Sequence, residues 1–269
     1  MDTHYRQFFA LTREPFGADL PRKDILVTKA LQATQERIDY ALRLGAVALV
    51  TGEIGSGKST TLRYILGGLH PSEHRIIAVT ATSGSILELY RQILEDLGIN
   101  LAGSSRAVLT KAIKQEILAL TLGKKMKVAL VIDEASLLRL EVFAELHTLT
   151  QFEQDSKPWL PLILAGQANL VDNLRYRTSL PLASRVVARS HLKGGDQEAM
   201  AEYLRHHLTI AGVTRMLFDD PAITAIHQGS GGLFRKANHL ARGALLAAAR
   251  GDAASVTAEH VRLAATELL

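Results

Sequence analysis

The stretch Gly52-Glu53-Ile54-Gly55-Ser56-Gly57-Lys58-Ser59 decides the fold of this chain. Its pattern, G-x-x-x-x-G-K-S, is that of the phosphate-binding loop of nucleotide-binding proteins. Glycines let the backbone turn its N–H groups towards phosphate oxygens, Lys58 supplies a charge for the β- and γ-phosphates, and the Ser59 hydroxyl can bind Mg²⁺. A flexible glycine turn is the alternative, but an apolar strand precedes the loop and a helix follows it, as the motif requires. The predicted nucleotide contacts are Gly52, Glu53, Ile54, Gly55, Ser56, Gly57, Lys58, Ser59 and Thr60.

Composition limits the class of protein. The 269 residues are 47% apolar, which is enough for a packed core and too much for a disordered chain. The absence of cysteine excludes disulfides and thiolate metal sites and suits a reducing cytoplasm. No apolar run reaches the roughly 18 residues of a membrane helix, and the N-terminus lacks a secretory signal. We therefore expect a cytoplasmic protein with no membrane contact.

Positive charge is concentrated in one region. The whole chain carries a net charge of +4. Residues 170–195 contain five basic residues and a single acid, so this segment alone accounts for that excess. A local excess of this kind indicates an anionic partner.

Strands and helices alternate through the first two thirds of the chain. Apolar β-branched runs predict strands at 47–51, 75–80, 127–132, 160–165 and 186–191, with helices between them. The third run is apolar without alternation, as in a strand covered on both faces. Such alternation predicts an α/β protein with a parallel sheet between helices.

Helix-start signals mark several boundaries. Ser85 and Glu88 have capping-box spacing, and Ser136 begins a predicted helix that runs to about residue 153. After Gly194-Gly195 the strand patterns stop. Asp196 is the predicted cap of the next helix, and Asp220 caps another that has proline in its first turn. The last quarter of the chain is therefore a small helical domain.

An acidic pair completes the nucleotide site. Asp133 and Glu134 follow directly on the third predicted strand. Because that strand is parallel to the one before the phosphate loop, both carboxylates should reach the same sheet edge as the loop. Asp133 is then the predicted Mg²⁺ ligand, through water, together with Ser59, and Glu134 the residue that polarises the attacking water. A strand that simply ends in a polar turn is the alternative.

The order of phosphate loop, acidic strand end and helical domain resembles the AAA+ ATPases. The resemblance implies a five-stranded parallel sheet of order 5-1-4-3-2 and ATP with Mg²⁺ as cofactors. It implies three segments: 1–45 as a lead-in and helix packed on the ATPase core, 46–195 as the α/β P-loop ATPase domain, and 196–269 as a helical lid domain. Gln167, just past the fourth strand, is similar to the family's sensor 1, although a helix-start glutamine would look the same.

Two arginines match further positions of that family. Arg185, just before the fifth strand, resembles the arginine finger that reaches a neighbouring subunit's nucleotide, which implies a homo-oligomer with nucleotide at its interfaces. Arg175, Arg177 and Arg189 are competing candidates. Arg235, which follows Gly231-Gly232, resembles sensor 2, the lid residue that contacts the γ-phosphate; an ordinary lid arginine is the alternative.

Several shorter stretches resemble the ExeA-like branch of this family. They are Phe8-Phe9-Ala10-Leu11 with Pro15-Phe16, Thr51-Gly52-Glu53, Gly166-Gln167-Ala168-Asn169-Leu170 and Ser230-Gly231-Gly232. Phe234 stands where that group usually has proline, and Ala183-Ser184 replace another polar pair before the finger. Since the sequence ends directly after the lid segment, we expect it to be most similar to stand-alone transposition helper ATPases (TniB, TnsC and MuB type).

The helper resemblance implies partners and a function. The expected partners are a transposase and duplex DNA, bound without sequence specificity through phosphate contacts by a ring or helical filament of subunits. The candidate DNA contacts are Thr80, Thr82, Ser83, Lys124, Lys125, Arg175, Arg177 and Arg189. A solvated basic edge is the alternative for the lysines. Two other functions stay open: an ExeA-type secretion or regulatory ATPase that acts on a protein, and a nucleotide-gated scaffold with negligible turnover.

Overall fold

A computed structural model describes residues 4–101 and 105–267 of the chain. The strands are β1 (Val47–Gly52), β2 (His74–Thr80), β3 (Lys127–Asp133), β4 (Leu162–Gly166) and β5 (Val186–Leu192). The helices are α1 (His4–Phe8), α2 (Lys29–Leu44), α3 (Lys58–Leu66), α4 (Ile86–Asp96), α5 (Arg106–Leu118), α6 (Leu140–Leu149), α7 (Asn169–Arg175), α8 (Leu180–Ala183), α9 (Gln197–Ile210), α10 (Asp220–Ser230), α11 (Phe234–Arg250) and α12 (Ala258–Thr266). Short 3-10 turns lie at Arg22–Asp24 and Ala135–Leu137, and a π-helical turn at Ala119–Gly123 continues α5.

The chain divides into two compact units. An α/β unit contains Lys29–Gly52 and Lys58–Leu192. A helical unit contains the lead-in through Thr28, the turn Glu53–Gly57 and the segment that begins at Lys193.

The α/β unit is built on a parallel five-stranded sheet of order β2-β3-β4-β1-β5. This is the predicted order 5-1-4-3-2 read from the other edge, so the predicted fold class is confirmed. Every residue of β1 and β4 is buried. On one face Leu49 and Leu164 join the core formed with α4, α5 and α6, while on the other Val50 and Ala165 pack with α2 and α3. The sheet is therefore covered on both faces at its centre, which explains why β1, β3 and β4 lack alternation, whereas the edge strand β5 alternates.

Helix starts follow side-chain caps at some predicted positions and not at others. The Asp196 carboxylate accepts from Ala199 N–H at the start of α9, as predicted. The Ser85 side chain makes no cap hydrogen bond, and the Glu88 carboxylate accepts from the Thr82 hydroxyl, so the predicted capping box is wrong. The cap of α10 is Asp219, one residue before the predicted Asp220.

The helix predicted from Ser136 begins later than expected. A left-handed residue, Glu134 (φ 54°), precedes a 3-10 turn that contains Ser136, and α6 starts only at Leu140. The turn is needed to bring the chain from the end of β3 into the helix. The helix ends at Leu149, before the turn at Glu153, where φ is again positive.

The N-terminal lead-in does not behave as one segment. We expected residues 1–45 to pack on the ATPase core. Helix α2 does belong to the α/β unit, but Tyr5, Phe9 and Phe16 lie in the hydrophobic core of the helical unit. Each is about 1% exposed, so the lead-in supplies large apolar side chains to a domain that is otherwise rich in alanine and leucine.

A buried histidine fastens the lead-in to helix α9. His207 is 1% exposed, and its Nδ1 accepts a hydrogen bond of 3.2 Å from the backbone N–H of Phe16. The two rings stack with centroids 5.2 Å apart. Burial is the main cause that lowers the pKa of His207 to about 3, and the charges of His206 and Arg13 contribute in the same direction. The ring is therefore neutral at ordinary pH and acts as a hydrogen-bond acceptor.

None of the helices within the described residues is both long and apolar enough to cross a membrane. Over the same residues, no group of three or more histidine, aspartate or glutamate side chains is placed to hold a metal ion.

Candidate nucleotide site

The phosphate loop has the backbone that its glycines predict. Gly55 and Gly57 have φ of +87° and +95°, conformations that residues with a Cβ atom rarely adopt. A Cβ atom on Gly55 would lie 2.9 Å from Cβ of Arg235, so the position is also sterically closed. The Ser56 hydroxyl oxygen is buried and has no hydrogen-bond partner. A phosphate oxygen would supply one, which fits nucleotide binding at this loop.

Lys58, the first residue of α3, is held at the end of strand β1. Its side chain is almost fully buried, and Nζ donates a 2.9 Å hydrogen bond to the carbonyl oxygen of Gly52. A buried ammonium group is costly to desolvate unless a negative charge faces it. The Lys58 ammonium lies at the carboxyl end of β1 beside the phosphate loop, where the motif places the lysine that meets phosphate oxygens.

The two predicted Mg²⁺ residues are in direct contact. Ser59 Oγ donates to Asp133 Oδ2 at 2.8 Å, although 74 positions separate them in the chain. The other carboxylate oxygen of Asp133 accepts the backbone N–H of Glu134 at 2.8 Å, which fixes its orientation. A hydroxyl and a carboxylate oxygen at this separation are the donors that Mg²⁺ takes beside nucleotide phosphates. The residues present therefore fit the ion.

Glu134 occupies a strained backbone position. Its φ and ψ are 54° and 29°, the left-handed region, in which a residue other than glycine costs about 1 kcal/mol or more. The residue is half-buried at the carboxyl end of β3, next to Asp133. Strain of this kind persists where surrounding structure imposes it, and it is common in active sites.

Gln167 lies at the same edge of the sheet. Its backbone N–H donates to Ser136 Oγ at 3.2 Å, and a Cβ atom on Gly166 would lie 2.8 Å from the backbone nitrogen of Ser136. The end of β4 thus packs directly on the turn that follows Glu134. Ser136 was not among the predicted site residues; a small polar residue just after the acidic pair was the only signal in the sequence.

The finger candidate Arg185 is engaged within its own chain. Its guanidinium forms an ion pair with Asp155, and its side chain is only 21% exposed. Asp155 ends a turn of three successive left-handed residues with φ of 45°, 54° and 70°. Among the competitors, Arg175 pairs with Asp172 at 3.1 Å and is 74% exposed. The role of Arg185 as a finger stays a prediction.

Arg235 belongs to the helical unit, in the first turn of α11. Its backbone N–H donates to the carbonyl oxygen of Gly55 at 3.3 Å, within the same unit. The side chain is exposed. The backbone of the proposed sensor 2 residue is thus fixed beside the tip of the phosphate loop, while its contact with a γ-phosphate stays a prediction.

The candidate DNA contacts fall at two opposite edges of the sheet. Thr80 pairs with Asp133 at the carboxyl ends of β2 and β3, and the loop that follows it is tethered by Arg139, whose Nε donates to the carbonyl oxygen of Ser83 at 3.0 Å. Lys124 and Lys125 precede the amino end of β3. Seven residues of strand separate these positions, roughly 20 Å. The two groups thus lie at opposite ends of the strands, and the contact of each with DNA stays a prediction. Arg139 was missed because nothing around it in the sequence is distinctive.

The AAA domain family matches residues 43–174, from the end of α2 to α7. This segment is similar to AAA domains. It contains the phosphate loop, Asp133, Glu134 and Gln167, so the residues that meet at the carboxyl edge of the sheet all lie inside it.

A curated relative is similar over nearly the whole chain. It is General secretion pathway protein A of Aeromonas hydrophila, 31% identical over 266 residues. The match covers 98% of this chain and 48% of the relative, so the chain spans about half the length of the relative.

Solved structures share the fold of the α/β unit and of the helical unit. Cdc6p from Pyrobaculum aerophilum has a TM-score of 0.71 at 18% identity, over 98% of this chain and 71% of the other. The Aeropyrum pernix ORC1 protein, solved in complex with DNA, has a TM-score of 0.68 at 19% identity, over 93% and 68% of the two chains. At these identities the likeness shows the fold alone.

Proposed function

We propose that this chain is a Mg²⁺-dependent AAA+ ATPase that hydrolyses ATP to ADP and phosphate. The observation that carries the proposal is the 2.8 Å contact between Ser59 and Asp133, next to the buried Lys58. ATP and Mg²⁺ are found inside cells, so we also propose that the protein works in the cytoplasm.

Each residue of the proposed site has a separate task. Lys58 and the unpaired Ser56 hydroxyl bind phosphate oxygens. Ser59 holds Mg²⁺ directly, and Asp133 holds it through a water molecule. When bound, the ion would neutralise charge on the β- and γ-phosphates. Glu134 accepts a proton from the attacking water, and Gln167 orients that water. The left-handed backbone of Glu134 fixes its position before nucleotide arrives.

A Glu134→Gln variant tests this assignment. Because the amide keeps the shape of the side chain and loses the base, steady-state ATP hydrolysis should fall at least about a hundredfold. Binding of a fluorescent ATP analogue should change less than about twofold. If the wild-type chain turns over no faster than the variant, the chain is a nucleotide-gated scaffold and the proposal fails.

We propose further that the site is completed by a neighbouring subunit, which supplies Arg185. A guanidinium from the next subunit would neutralise charge that develops on the γ-phosphoryl group. In the single chain Asp155 holds this guanidinium, so assembly would have to exchange one carboxylate partner for phosphate. Arg235 would contact the same phosphate from the helical unit.

Mixing two inactive variants tests the shared site. Lys58→Ala removes nucleotide binding and Arg185→Ala removes the finger, so each alone should be inactive. In a mixture, an intact site of an Arg185→Ala subunit can meet Arg185 of a Lys58→Ala neighbour, and activity should return. The matched comparison is an equal mixture of Lys58→Ala with Arg175→Ala, which tests the competing finger candidate Arg175 in the same assay. No recovery with Arg185→Ala would mean that Arg185 acts within its own chain or has no catalytic task.

We propose that the ATP-bound assembly, a ring or helical filament, binds duplex DNA without sequence specificity and serves as a transposition helper that recruits or activates a transposase. The support is the exposed loop Thr82-Ser83 with Arg139 and the exposed Arg175, Arg177 and Arg189. A protein of similar fold, ORC1, was solved with DNA. Electron microscopy with ATP, Mg²⁺ and duplex DNA should show assemblies on DNA, and the affinity should fall steeply with salt. Monomers that stay off DNA at low salt would contradict it.

A second candidate is an ATPase that acts on a protein partner in secretion or regulation. The observation that favours it is the 31% identity to General secretion pathway protein A over 98% of this chain. A shallow salt dependence, or no DNA affinity in the presence of ATP, would support this function over the first. Either outcome leaves the proposed ATPase chemistry in place.

A further inference from the structure

A cavity lies in the α/β unit at the edge of the sheet opposite the nucleotide residues. It has a volume of about 720 Å³ and is lined where strands begin, by His74 of β2, by the first residues of β3, and by Pro161 just before β4. Small-molecule sites in proteins span about 300–1,000 Å³, so the cavity is of ligand size. None of the residues assigned to nucleotide or DNA above lines it.

The walls of this amino-edge cavity are apolar and firmly placed. Leu42, Leu69, Met126 and Trp159 line it. Gly45, also in the wall, has φ of +62°, and a Cβ atom there would lie 2.1 Å from the carbonyl oxygen of Pro158. The turn from α2 into β1 is therefore pressed against the segment before β4. A cavity with such walls is a preformed space rather than a gap between loosely packed loops.

Two buried polar atoms in the lining have no hydrogen-bond partner. They are His74 Nδ1 and Thr121 Oγ1. Buried polar groups are nearly always paired, so two unpaired ones around one cavity need an explanation. Thr121 lies in the π-helical turn that continues α5, and such turns are frequent at functional sites.

A carboxylate is the third polar group in the lining of the cavity. Asp39 lines the cavity from α2, and no hydrogen bond or ion pair joins it to another residue of the described ranges. Burial raises the pKa of Asp39 and outweighs the opposite effects of Arg43 and His74, which shows that its carboxylate is partly removed from water. Arg43 and Lys127 are exposed and lie at the rim. The interior therefore offers a carboxylate, an imidazole nitrogen and a hydroxyl, all able to accept hydrogen bonds.

We propose that the amino-edge cavity binds an organic cation, a flat amidinium or guanidinium group carried on an apolar body. The planar cation would donate hydrogen bonds to Asp39, His74 and Thr121, and its apolar body would pack against Trp159 and Met126. Such a group occurs in free small molecules and in the arginine side chains of proteins, and the two sources share this chemistry.

The chain contains its own reporter, since Trp159 is its single tryptophan. The full chain is titrated with benzamidine while tryptophan fluorescence is followed, and isothermal titration calorimetry measures the same affinity independently. Benzamide and benzoate, which have the same ring with a neutral and a negative head group, are the comparison ligands. We expect saturable binding of benzamidine, at least about tenfold tighter than either of them.

Matched variants locate the binding. Asp39→Asn should weaken benzamidine binding at least about tenfold, and Thr121→Val should weaken it about threefold. Glu141→Gln, which removes an exposed carboxylate on α6 outside the lining of the cavity, is the control and should change it less than about twofold. A far-ultraviolet circular dichroism spectrum equal to that of the wild type shows that Asp39→Asn is folded.

Two further ligands separate the sources of the cation. If a capped Leu-Arg-Leu tripeptide binds at least about tenfold tighter than capped arginine, the cavity takes an arginine of a protein; equal affinity indicates a free small cation. No saturable binding of benzamidine, equal binding of benzoate, or unchanged binding by Asp39→Asn would overturn the proposal. Since nucleotide binding is measured separately, its loss or retention does not affect this result.

Discussion

The neutral His207 makes the helical unit sensitive to acid. Protonating this ring would place a charge in the core and remove the acceptor of the Phe16 N–H bond. Because burial lowers the pKa of His207 from 6.5 to about 3, the histidine contributes stability that is fully present above pH 6.5. That contribution is lost as the pH falls from 6.5 towards 3.

The two pKa values set the magnitude. Each pH unit between them costs about 1.4 kcal/mol of unfolding free energy. Between about pH 7.5 and about pH 4, the contribution of His207 should therefore fall by about 3 kcal/mol. This is a large part of the stability of a small unit, so we expect the lead-in to detach from the helical unit in mild acid.

Urea unfolding at both pH values, followed by far-ultraviolet circular dichroism, measures this loss. In His207→Gln the amide oxygen can still accept the Phe16 N–H, but the residue does not titrate, so this variant should lose about 3 kcal/mol less than the wild type. His239→Gln is the control: His239 is exposed on α11, and its replacement should leave the loss unchanged. NMR titration of the histidine rings reports the pKa of His207 directly. A midpoint near 6, or equal losses in wild type and His207→Gln, would refute the reasoning.

Three further predictions concern the α/β unit. Lys58→Ala should weaken ATP-analogue binding at least about tenfold while changing the unfolding free energy by less than about 1 kcal/mol, because the lost ammonium was costly to bury; fluorescence titration and urea unfolding measure the two effects. Asp133→Asn should reduce the gain in ADP affinity that Mg²⁺ provides, which calorimetry with and without the ion measures. Gly45→Ala should destabilise the unit by more than about 2 kcal/mol, because its Cβ would meet Pro158. Gly98→Ala is the comparison, since Gly98 also has positive φ but has open space around it; equal losses of unfolding free energy would contradict the clash.

Much of the α/β unit follows from the sequence because its signals are local. Positive φ at Gly55 and Gly57 is what the motif requires, and the apolar strands without alternation belong to a sheet buried on both faces. The contact between Ser59 and Asp133 could be predicted although it is distant in sequence, because parallel strands bring their carboxyl ends to one edge.

Sequence signals failed where a competing partner was available. Ser85 has the residue type of a cap, but the Glu88 carboxylate accepts a hydrogen bond from the Thr82 hydroxyl. The two hydrogen bonds of the capping box do not form. The helix expected at Ser136 is delayed by the left-handed Glu134, whose conformation no residue pattern announced.

The sequence by itself determined the phosphate loop, the order of strands and helices, and the acidic pair at the end of β3, since each depends on neighbours within a few residues. Only the tertiary structure decided three other features. It paired Arg185 with Asp155, placed Phe16 and His207 together in the helical unit, and gathered Asp39, His74 and Thr121 around one cavity. These groupings join residues that are far apart in the chain, and long-range packing leaves no periodic or local signal in the sequence. The physical reason is that burial and partner choice are properties of the folded unit, whereas turn geometry and strand character are properties of the segment.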